Sequence, residues 1–281
     1  MLHNLVDDIN FDLGRSLRFK EGFVMKIFFA FPSRICVLTL AVLFLCTISA
    51  QAADLVAYYP LDGDVKDKKS ENHGKIEGKS KWVDGKFGKA IDLDPGAFIN
   101  IPASKTLHGD LFINAFTLSA WIKPNFKGSA WEHIWRSLPG DSGHNTLFIN
   151  KDQGLVSWRG KVKGAWTAMC QTESKLIQKD KWHNVTVTSD KKKFRIYLNG
   201  SKVKETDHKV TDGGIETYHL GGEGGETYAG LMDDAAIFSG AMEESTISKI
   251  QKDSIGAVVM SDTPVDSKAK LATTWANLKR L

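Results

Sequence analysis

The chain has 281 residues, and 37 Lys and Arg against 33 Asp and Glu give a formal net charge of +4, so the charge balance is close to even. With 42% hydrophobic residues, it is long and apolar enough for one large β-sandwich or two small domains. Basic and aromatic residues do not interleave in a stripe, which excludes the surface that a nucleic-acid-binding protein needs.

The first 52 residues have the layout of a targeting segment. Residues 1–24 are mostly polar, and we interpret them as a disordered upstream extension before the true initiator, Met25. Residues 25–52 combine basic residues, an apolar run over 35–48 and an Ala-Gln-Ala cleavage signal, the pattern of a secretory signal peptide. The alternative is an uncleaved membrane anchor, but the run is shorter than the roughly 18–20 residues of a membrane span, which favours the signal peptide. We expect an exported protein, periplasmic, secreted or at the cell surface, with no membrane span in the mature chain.

Cleavage of the signal peptide removes two of the three cysteines and leaves Cys170. A single cysteine cannot form an intramolecular disulfide, so the fold must be stabilised by its core. We interpret Cys170 as a small residue packed at the end of a strand rather than as a nucleophile.

Residues 53 to about 238 form a series of short strand patterns separated by Gly, Asp, Asn and Lys, without a long segment of helical period. Many short strands at this spacing predict an all-β sandwich or barrel. The first strand is followed by a polar, flexible stretch over 62–74, and a turn over 82–87 precedes another strand. The predicted strands are 55–61, 89–93, 97–101, 116–122, 131–135, 146–149, 155–158, 165–168, 218–220 and 228–238, together with a meander over 182–206.

The meander gives the strongest local signal. Val185 and Val187 alternate with threonines, and the strand 194–198 has the same period of two. Asn199-Gly200 follows, and this pair tolerates the positive φ of both central positions of a type I′ turn. One face of the meander is apolar and must be covered, usually by a second sheet.

The period changes after the last strand. Residues 241–251 carry Met242, Ile247 and Ile250 at helical spacing behind acidic residues, which predicts one short helix. Residues 253–268 are predicted to be a linker, and residues 271–281 a small amphipathic tail that docks onto the sandwich, binds a partner or stays loose.

Five separated segments resemble, in the same order, the laminin-G-like group of concanavalin A-type jelly rolls. They are LVAYYPLDGDVKDKKSENHG, WVDGKFGKAIDLDPGAFINIP, FTLSAWIKP, the meander with its YLNG turn, and YAGLMDDAAIFSGAMEESTISKI. The first departs from the family at Glu71, where glycine is usual. The resemblance implies an all-β, two-sheet antiparallel β-sandwich over residues 53–252, a jelly roll of the concanavalin A-like lectin/glucanase type with one short C-terminal helix. It also implies that the first and last strands are neighbours.

Acidic residues in two places suggest a structural calcium ion, Ca2+, which prefers several carboxylate and carbonyl oxygens. Asp67 and Asn72 lie in the first loop, and Asp233 and Asp234 interrupt an otherwise apolar strand, where an unpaired carboxylate is costly. The resemblance implies that this loop approaches the last strand, where family members often bind one calcium ion. Successive residues point to opposite faces of a strand, so Asp233 and Asp234 both reach one ion only if the backbone bulges. The alternative is an Asx-turn at Asp67 and Asn72 and a salt bridge at Asp233.

Aromatic and cationic residues in the middle of the chain suggest a carbohydrate site, since sugar binders combine aromatic rings for stacking with polar groups for hydroxyls. Exposed Trp and Arg are favoured at recognition surfaces, although for any individual Trp burial in the sandwich core is the favoured role. The candidate ligand-binding residues are Trp131, His133, Trp135, Arg136, Trp158, Arg159 and Trp166.

Catalytic signatures of enzymes with this type of fold are missing from the sequence. The E-x-D-x-x-E strand of the glucanases is absent, and so are the signatures of the alginate lyases. The general hydrolase motifs H-E-x-x-H and G-x-S-x-G do not occur either. We therefore predict no catalytic residues and a secreted, non-catalytic module that recognises glycans. The alternative is a cell-surface adhesion protein that binds protein partners through sheet edges and the C-terminal tail; a glycoside hydrolase or polysaccharide lyase is a third interpretation.

Overall fold

Two antiparallel β-sheets form a sandwich, as the alternating sequence pattern predicts. The computed structural model describes residues 53–108, 111–138, 145–211, 217–222 and 224–260, together with the backbone of three short strands within residues 10–25. The chain divides into two units, Met1–Ala50 and Gln51–Leu281.

The first unit contains a three-stranded sheet of β1 (Asn10–Asp12), β2 (Ser16–Arg18) and β3 (Val24–Met25). These strands differ from the disorder expected for residues 1–24. In their backbone register, Phe11 lies opposite Leu17 and Leu17 lies opposite Met25. The apolar run of the predicted signal peptide and the predicted C-terminal tail lie outside the described residues.

The second unit contains fifteen described strands. Two short ones, β5 and β6, were not predicted, because their three and five residues carry little apolar periodicity. The strands are β4 (Asp54–Tyr59), β5 (Lys75–Glu77), β6 (Ser80–Asp84), β7 (Lys89–Leu93), β8 (Phe98–Pro102), β9 (Phe116–Pro124), β10 (Trp131–Leu138), β11 (Asn145–Asn150), β12 (Leu155–Val162), β13 (Ala165–Gln171), β14 (His183–Ser189), β15 (Lys193–Leu198), β16 (Ser201–Asp207), β17 (Thr217–Gly221) and β18 (Gly230–Ser239).

The topology follows the jelly-roll pattern. The seven-stranded sheet has the order β13-β12-β11-β10-β17-β8-β5, and the eight-stranded sheet has the order β16-β15-β14-β9-β18-β7-β6, with β4 also paired to β18. The implied neighbourhood of the first and last strands is confirmed, since Tyr59 of β4 lies opposite Ala235 of β18. The meander is confirmed as β14-β15-β16, and Asn199 and Gly200 adopt φ of 50° and 79° in its turn.

The core lies between the two sheets. Alternate residues of each strand point inward, such as Leu118, Ala120 and Ile122 of β9, all fully buried. Cys170 also lies in this core as a buried free thiol, and burial raises its pKa. The position therefore matches the interpretation of Cys170 as a packed residue.

Two helices follow β18, α1 (Glu244–Ile250) and α2 (Ile255–Val259). The first is the predicted helix. The second lies where a linker was predicted, so that boundary is corrected. Ser254 caps α2 by accepting from Ala257 N, and Ile255 is buried against the outer side of the eight-stranded sheet with Tyr58 and Phe238. Among the described residues, no helix is long and apolar enough to cross a membrane.

Candidate functional site

Two Trp-Arg dipeptides organise the seven-stranded sheet. Trp135 of β10 and Trp158 of β12 both lie opposite Leu147 of β11, so they share the inner face of the sheet. Successive residues of a strand point to opposite faces. Arg136 and Arg159 therefore share the outer face, the side away from the eight-stranded sheet.

Trp135 and Trp158 are core residues, which corrects their assignment as ligand contacts. Both are almost completely buried, at 1% and 0% exposure. Trp158 packs against Phe116 and Phe194 of the opposite sheet, and Trp135 Nε1 donates to Ser119 O at 3.3 Å. A ligand on the outer face does not reach either ring.

A polar row crosses the outer face at one register. His219 lies opposite Arg136, Arg136 opposite Thr146, and Thr146 opposite Arg159, on the adjacent strands β17, β10, β11 and β12. Neighbouring strands are about 4.8 Å apart, so the two arginines are roughly 10 Å apart at their Cα atoms. We call these four residues the arginine row.

A second set of outer-face residues flanks the row on β10 and β11. Trp131 contacts Phe148 edge-on at a centroid distance of 5.7 Å, and the Arg159 guanidinium lies 5.0 Å from the centre of the Trp131 ring. His133 packs on Phe148 at 4.4 Å. The structure thus brings Trp131, His133 and both arginines together, as the carbohydrate hypothesis requires. Trp166, at 47% exposure, lies on the edge strand β13 opposite Lys161.

Glu226 joins this face from the loop between β17 and β18. His133 Nε2 lies 3.0 Å from Glu226 Oε2. The hydrogen bond from His133 and the nearby charges of Arg136 and Arg159 outweigh burial and hold the pKa of Glu226 below its usual range. A Cβ at Gly222 would collide with the carbonyl of Glu226 and lie 2.7 Å from His133 Nδ1, so this turn needs glycine.

A cavity of about 490 Å³ opens beside the arginine row, lined by Arg136, Gly224, Gly225 and Glu226. Its volume is in the range of small-molecule sites. Sequence analysis missed Glu226, Thr146, Phe148 and His219. The Gly-rich turn around Glu226 was visible, but only the strand register shows which strand residues it meets.

Several buried polar atoms on this face have no hydrogen-bond partner in the structure. They are Thr146 Oγ1, Ser157 Oγ, His219 Nδ1 and Arg159 Nε, and the first three residues are at most 3% exposed. Burial, together with the charge of Arg136, lowers the pKa of His219 to about 4, so its imidazole is neutral at pH 7. Buried polar groups in native proteins are nearly always paired, so this face has spare hydrogen-bonding capacity.

The predicted calcium ligands of the first loop satisfy one another instead. Asp67 accepts from the backbone N–H of Tyr58 and Lys69, from the Ser70 hydroxyl, and from both nitrogens of Asn72, at 2.6–3.3 Å. These hydrogen bonds outweigh burial and lower the pKa of Asp67. Asn72 Oδ1 in turn accepts from Ser104 and Thr106. Protein donors therefore occupy the oxygens that a cation would need.

The predicted ligands on β18 diverge. The backbone does bulge here, which a shared ion would require, because the pairing with β9 shifts register between Asp233 and Ala236 and Asp234 has a φ of 48°. Asp233 Oδ2 nevertheless accepts from the backbone N–H of Lys86 and Phe87, while Asp234 accepts from Tyr58 Oη and Ile255 N. The Oδ1 atom of Asp233 has no partner.

The four predicted ligands thus do not fit one calcium site. Among the described residues, no three His, Cys, Asp or Glu side chains converge closely enough to hold a metal ion. Asp233 remains the one member of the set with a buried oxygen left over. Calcium binding stays a prediction, restricted to the neighbourhood of Asp233.

Comparison with protein families matches residues 97–248 to the model of the concanavalin A-like lectin/glucanases superfamily. None of the curated proteins compared with the chain matches its sequence.

Solved structures give matches at low identity. Domain 4 of AbnA, an extracellular arabinanase from Geobacillus stearothermophilus, solved in complex with arabinotriose, is 20% identical, with a TM-score of 0.61 over 72% of this chain and 100% of that one. The binding domain of botulinum neurotoxin DC in complex with SialylT is 13% identical, with a TM-score of 0.56 over 72% of this chain and 52% of that one. The same domain with rat synaptotagmin II is 14% identical, with a TM-score of 0.59 over 71% and 51%. The chain thus spans about half the length of the neurotoxin domains, and these likenesses show the fold alone.

Proposed function

The chain belongs to the concanavalin A-like lectin/glucanases superfamily, and from that premise we propose that it is an exported, non-catalytic carbohydrate-binding module. The proposed sugar site is the outer face of the seven-stranded sheet, at the cavity beside Arg136 and Glu226. Export is proposed from the signal-peptide pattern of residues 25–52.

One observation carries the proposal. Hydrogen-bonding atoms of Thr146, Ser157 and His219 are buried on the outer face and lack a protein partner. Sugar hydroxyls both donate and accept, so they complement a hydroxyl and a neutral imidazole equally well. The aromatic rings of Trp131 and Phe148 beside these atoms supply the apolar part of such a site. Fold neighbours include a domain in complex with arabinotriose, and that analogy is consistent with the proposal.

The carboxylates near the cavity support a binding role rather than hydrolysis. Glycosidases need a pair of carboxyl groups about 5–9.5 Å apart across the scissile bond, one of them a general acid with a raised pKa. The pKa of Glu226 is lowered, mainly by its hydrogen bond with His133. Burial raises the pKa of Glu132 to about 7, but this residue lies on the inner face of β10, opposite the core residue Ile149, and so points away from the cavity. We propose that the site binds sugar without cleaving it.

The test is a glycan-array screen with the full chain, run once in calcium and once with a chelator. We expect binding to a coherent class of sugars, and its loss in Glu226→Ala, because Glu226 lines the cavity and is 48% exposed at its side chain. The matched control is Glu205→Ala, a carboxylate on β16 of the other sheet that pairs with Arg195. Calcium-dependent binding would support the ion near Asp233, whereas binding in both buffers would remove the ion from the sugar site.

A blank array in both buffers would contradict the glycan proposal and favour adhesion to a protein partner. The complex of one fold neighbour with synaptotagmin makes that alternative concrete. A pull-down with and without residues 271–281 would then test the predicted role of the C-terminal tail.

A further inference from the structure

We infer that the glycan bound at this site is acidic, and that Arg159 binds its carboxylate or sulfate group. The inference rests on the proposed function and names the class of sugar. It follows from the charge and the geometry of the arginine row and from two of its atoms that lack a partner, Arg159 Nε and Thr146 Oγ1.

The charge of the outer face is mainly positive on its central strands. The outward-facing described residues of β10, β11, β12 and β17 include Arg136, Arg159 and Lys161 and no Asp or Glu, by their registers. Glu226 enters from the loop, where it pairs with His133 and its carboxylate lies near the charges of both arginines, so the net charge of this cluster is still positive. Guanidinium groups can donate hydrogen bonds to any sugar, but only an anionic sugar is also attracted by the positive charge of both.

The position of Arg159 suits an anion. Its guanidinium lies over the Trp131 ring at 5.0 Å, a cation–π contact that restrains the planar group. A stacked guanidinium presents its N–H groups at the edge of the plane, where a carboxylate or sulfate is bound bidentately. The Nε atom of Arg159 is buried and has no hydrogen-bond partner in the structure, so a ligand would meet the guanidinium first at its terminal N–H groups.

Thr146 completes the geometry. It lies between Arg136 and Arg159 in the row, at 0% exposure and with an unpartnered hydroxyl. The two positive charges, roughly 10 Å apart at their Cα atoms, therefore lie on either side of an unpartnered hydroxyl, which a neutral part of the same ligand would reach once the side chains that cover it move aside. An oligosaccharide with one anionic group per one or two sugars has this combination of charges and hydroxyls.

The experiment compares matched acidic and neutral sugars by titration calorimetry with the full chain. The pairs are oligogalacturonate with its methyl ester, sialyllactose with lactose, and dextran sulfate with dextran, so the carboxylate and sulfate sources are separated. We expect the acidic member of at least one pair to bind about tenfold more tightly, with an affinity that falls as salt is raised from ~0.05 to ~0.5 M. We expect Arg159→Ala to abolish this preference and Arg159→Lys to retain part of it. Arg195→Ala, a change of the same kind on the other sheet, should preserve it, with thermal melts to verify that each variant is folded.

The outcomes distinguish the two proposals. Equal affinity for the acidic and neutral members would overturn the acidic-sugar inference and leave the carbohydrate-binding function standing. An acidic preference that survives Arg159→Ala would overturn the assignment of the anion to Arg159. Failure of every sugar to bind, on the array and in these pairs, would overturn the proposed function itself.

Discussion

Two fully buried threonines on different sheets differ in how the protein treats their hydroxyl groups. Thr117 Oγ1 donates to Gly240 O at 2.9 Å and accepts from Met242 N at 2.8 Å. Thr146 Oγ1 has no partner. An unsatisfied buried hydroxyl costs about 1–3 kcal/mol, as does removal of a satisfied one that leaves its partners unpaired. We expect Thr146→Val to raise the free energy of unfolding by about 1 kcal/mol and Thr117→Val to lower it by about 1–3 kcal/mol, measured by urea denaturation.

The same Thr146→Val variant separates stability from binding. If the hydroxyl is kept for a ligand, the variant gains stability and loses sugar affinity, which calorimetry with the sugar identified on the array would measure. A loss of stability as large as that of Thr117→Val would mean that Thr146 has a structural partner and would contradict its assignment to the site.

Glu132 predicts a pH dependence. Burial raises its pKa to about 7, against the opposing hydrogen bond from Ala229 N. A carboxyl group whose pKa is raised in the folded state contributes its full stabilisation below its unfolded-state pKa, about 4.3. That contribution is lost as the pH rises through the folded-state pKa. His219 acts in the opposite direction, because its lowered pKa of about 4 costs stability as pH falls below about 6.5. The profile of the wild-type chain therefore mixes both effects.

Comparison with Glu132→Gln isolates the carboxyl group. Between about pH 4.5 and 7, we expect the unfolding free energy of the wild type minus that of the variant to fall, by up to about 1.4 kcal/mol per pH unit. Glu244→Gln, the same change at an exposed position, serves as the control. A flat difference for Glu132→Gln in urea titrations across this range would sink the idea that this carboxyl is protonated in the fold.

Two of the four residues of the arginine row, Arg136 and Arg159, were predicted from the sequence. Strand alternation places a Trp and the Arg beside it on opposite faces, so grouping Trp135 with Arg136 and Trp158 with Arg159 in one site was physically inconsistent. Which of the two faced inward depends on the core, where both Trp rings fill the space between the sheets. Residues such as Thr146 carried no sequence signal, because their role depends on the register of neighbouring strands.

At the scale of elements, α2 depends on the bulged Asp234. One carboxylate oxygen accepts from Tyr58 Oη at 2.7 Å and the other from Ile255 N, the first residue of α2, at 2.6 Å. We expect Asp234→Ala to lower the free energy of unfolding by about 2–4 kcal/mol. The change removes a buried acceptor from two donors and places alanine at a positive φ. Asp234→Asn keeps an acceptor and tolerates this φ, so its loss should be smaller.

Chemical denaturation and hydrogen exchange check this prediction. Exchange of the α2 amides should accelerate in Asp234→Ala and less so in Asp234→Asn. Equal behaviour of the two variants would contradict the idea that the carboxylate fastens α2 to the sheet. This contact also explains why α2 was predicted as a linker, since five residues hold helical shape here through Ser254 and the buried Ile255 rather than through a long apolar period.

The first loop gives the prediction that decides the calcium question. Because Asp67 is satisfied entirely by protein donors, Asp67→Ala should lower the melting temperature equally in calcium and in chelator. A larger loss in calcium would restore Asp67 as a ligand. If calcium does bind near Asp233, it should raise the wild-type melting temperature, and Asp233→Asn should remove that increase.

At the scale of the whole molecule, the sandwich was predictable because its signals are local. Each family-like segment carries one or two strands with their turns, and their order along the chain implied that β4 would lie beside β18, as it does. The cavity was not predictable in the same way. It combines β10 with the loop before β18, about ninety positions later in the sequence, and no local pattern reports that meeting.

β18 follows all the other described strands of the eight-stranded sheet in the sequence, yet it lies inside that sheet, where it pairs with β9, β7 and β4. During synthesis, those three strands present open edges until residue 239 has emerged. Closing the sheet then joins positions as far apart as Tyr59 and Ala235, so the entropy of a very long loop must be overcome before the contacts form. The nascent chain is therefore open to edge-to-edge association until β18 has emerged, and its yield depends on how fast this one strand pairs with its neighbours.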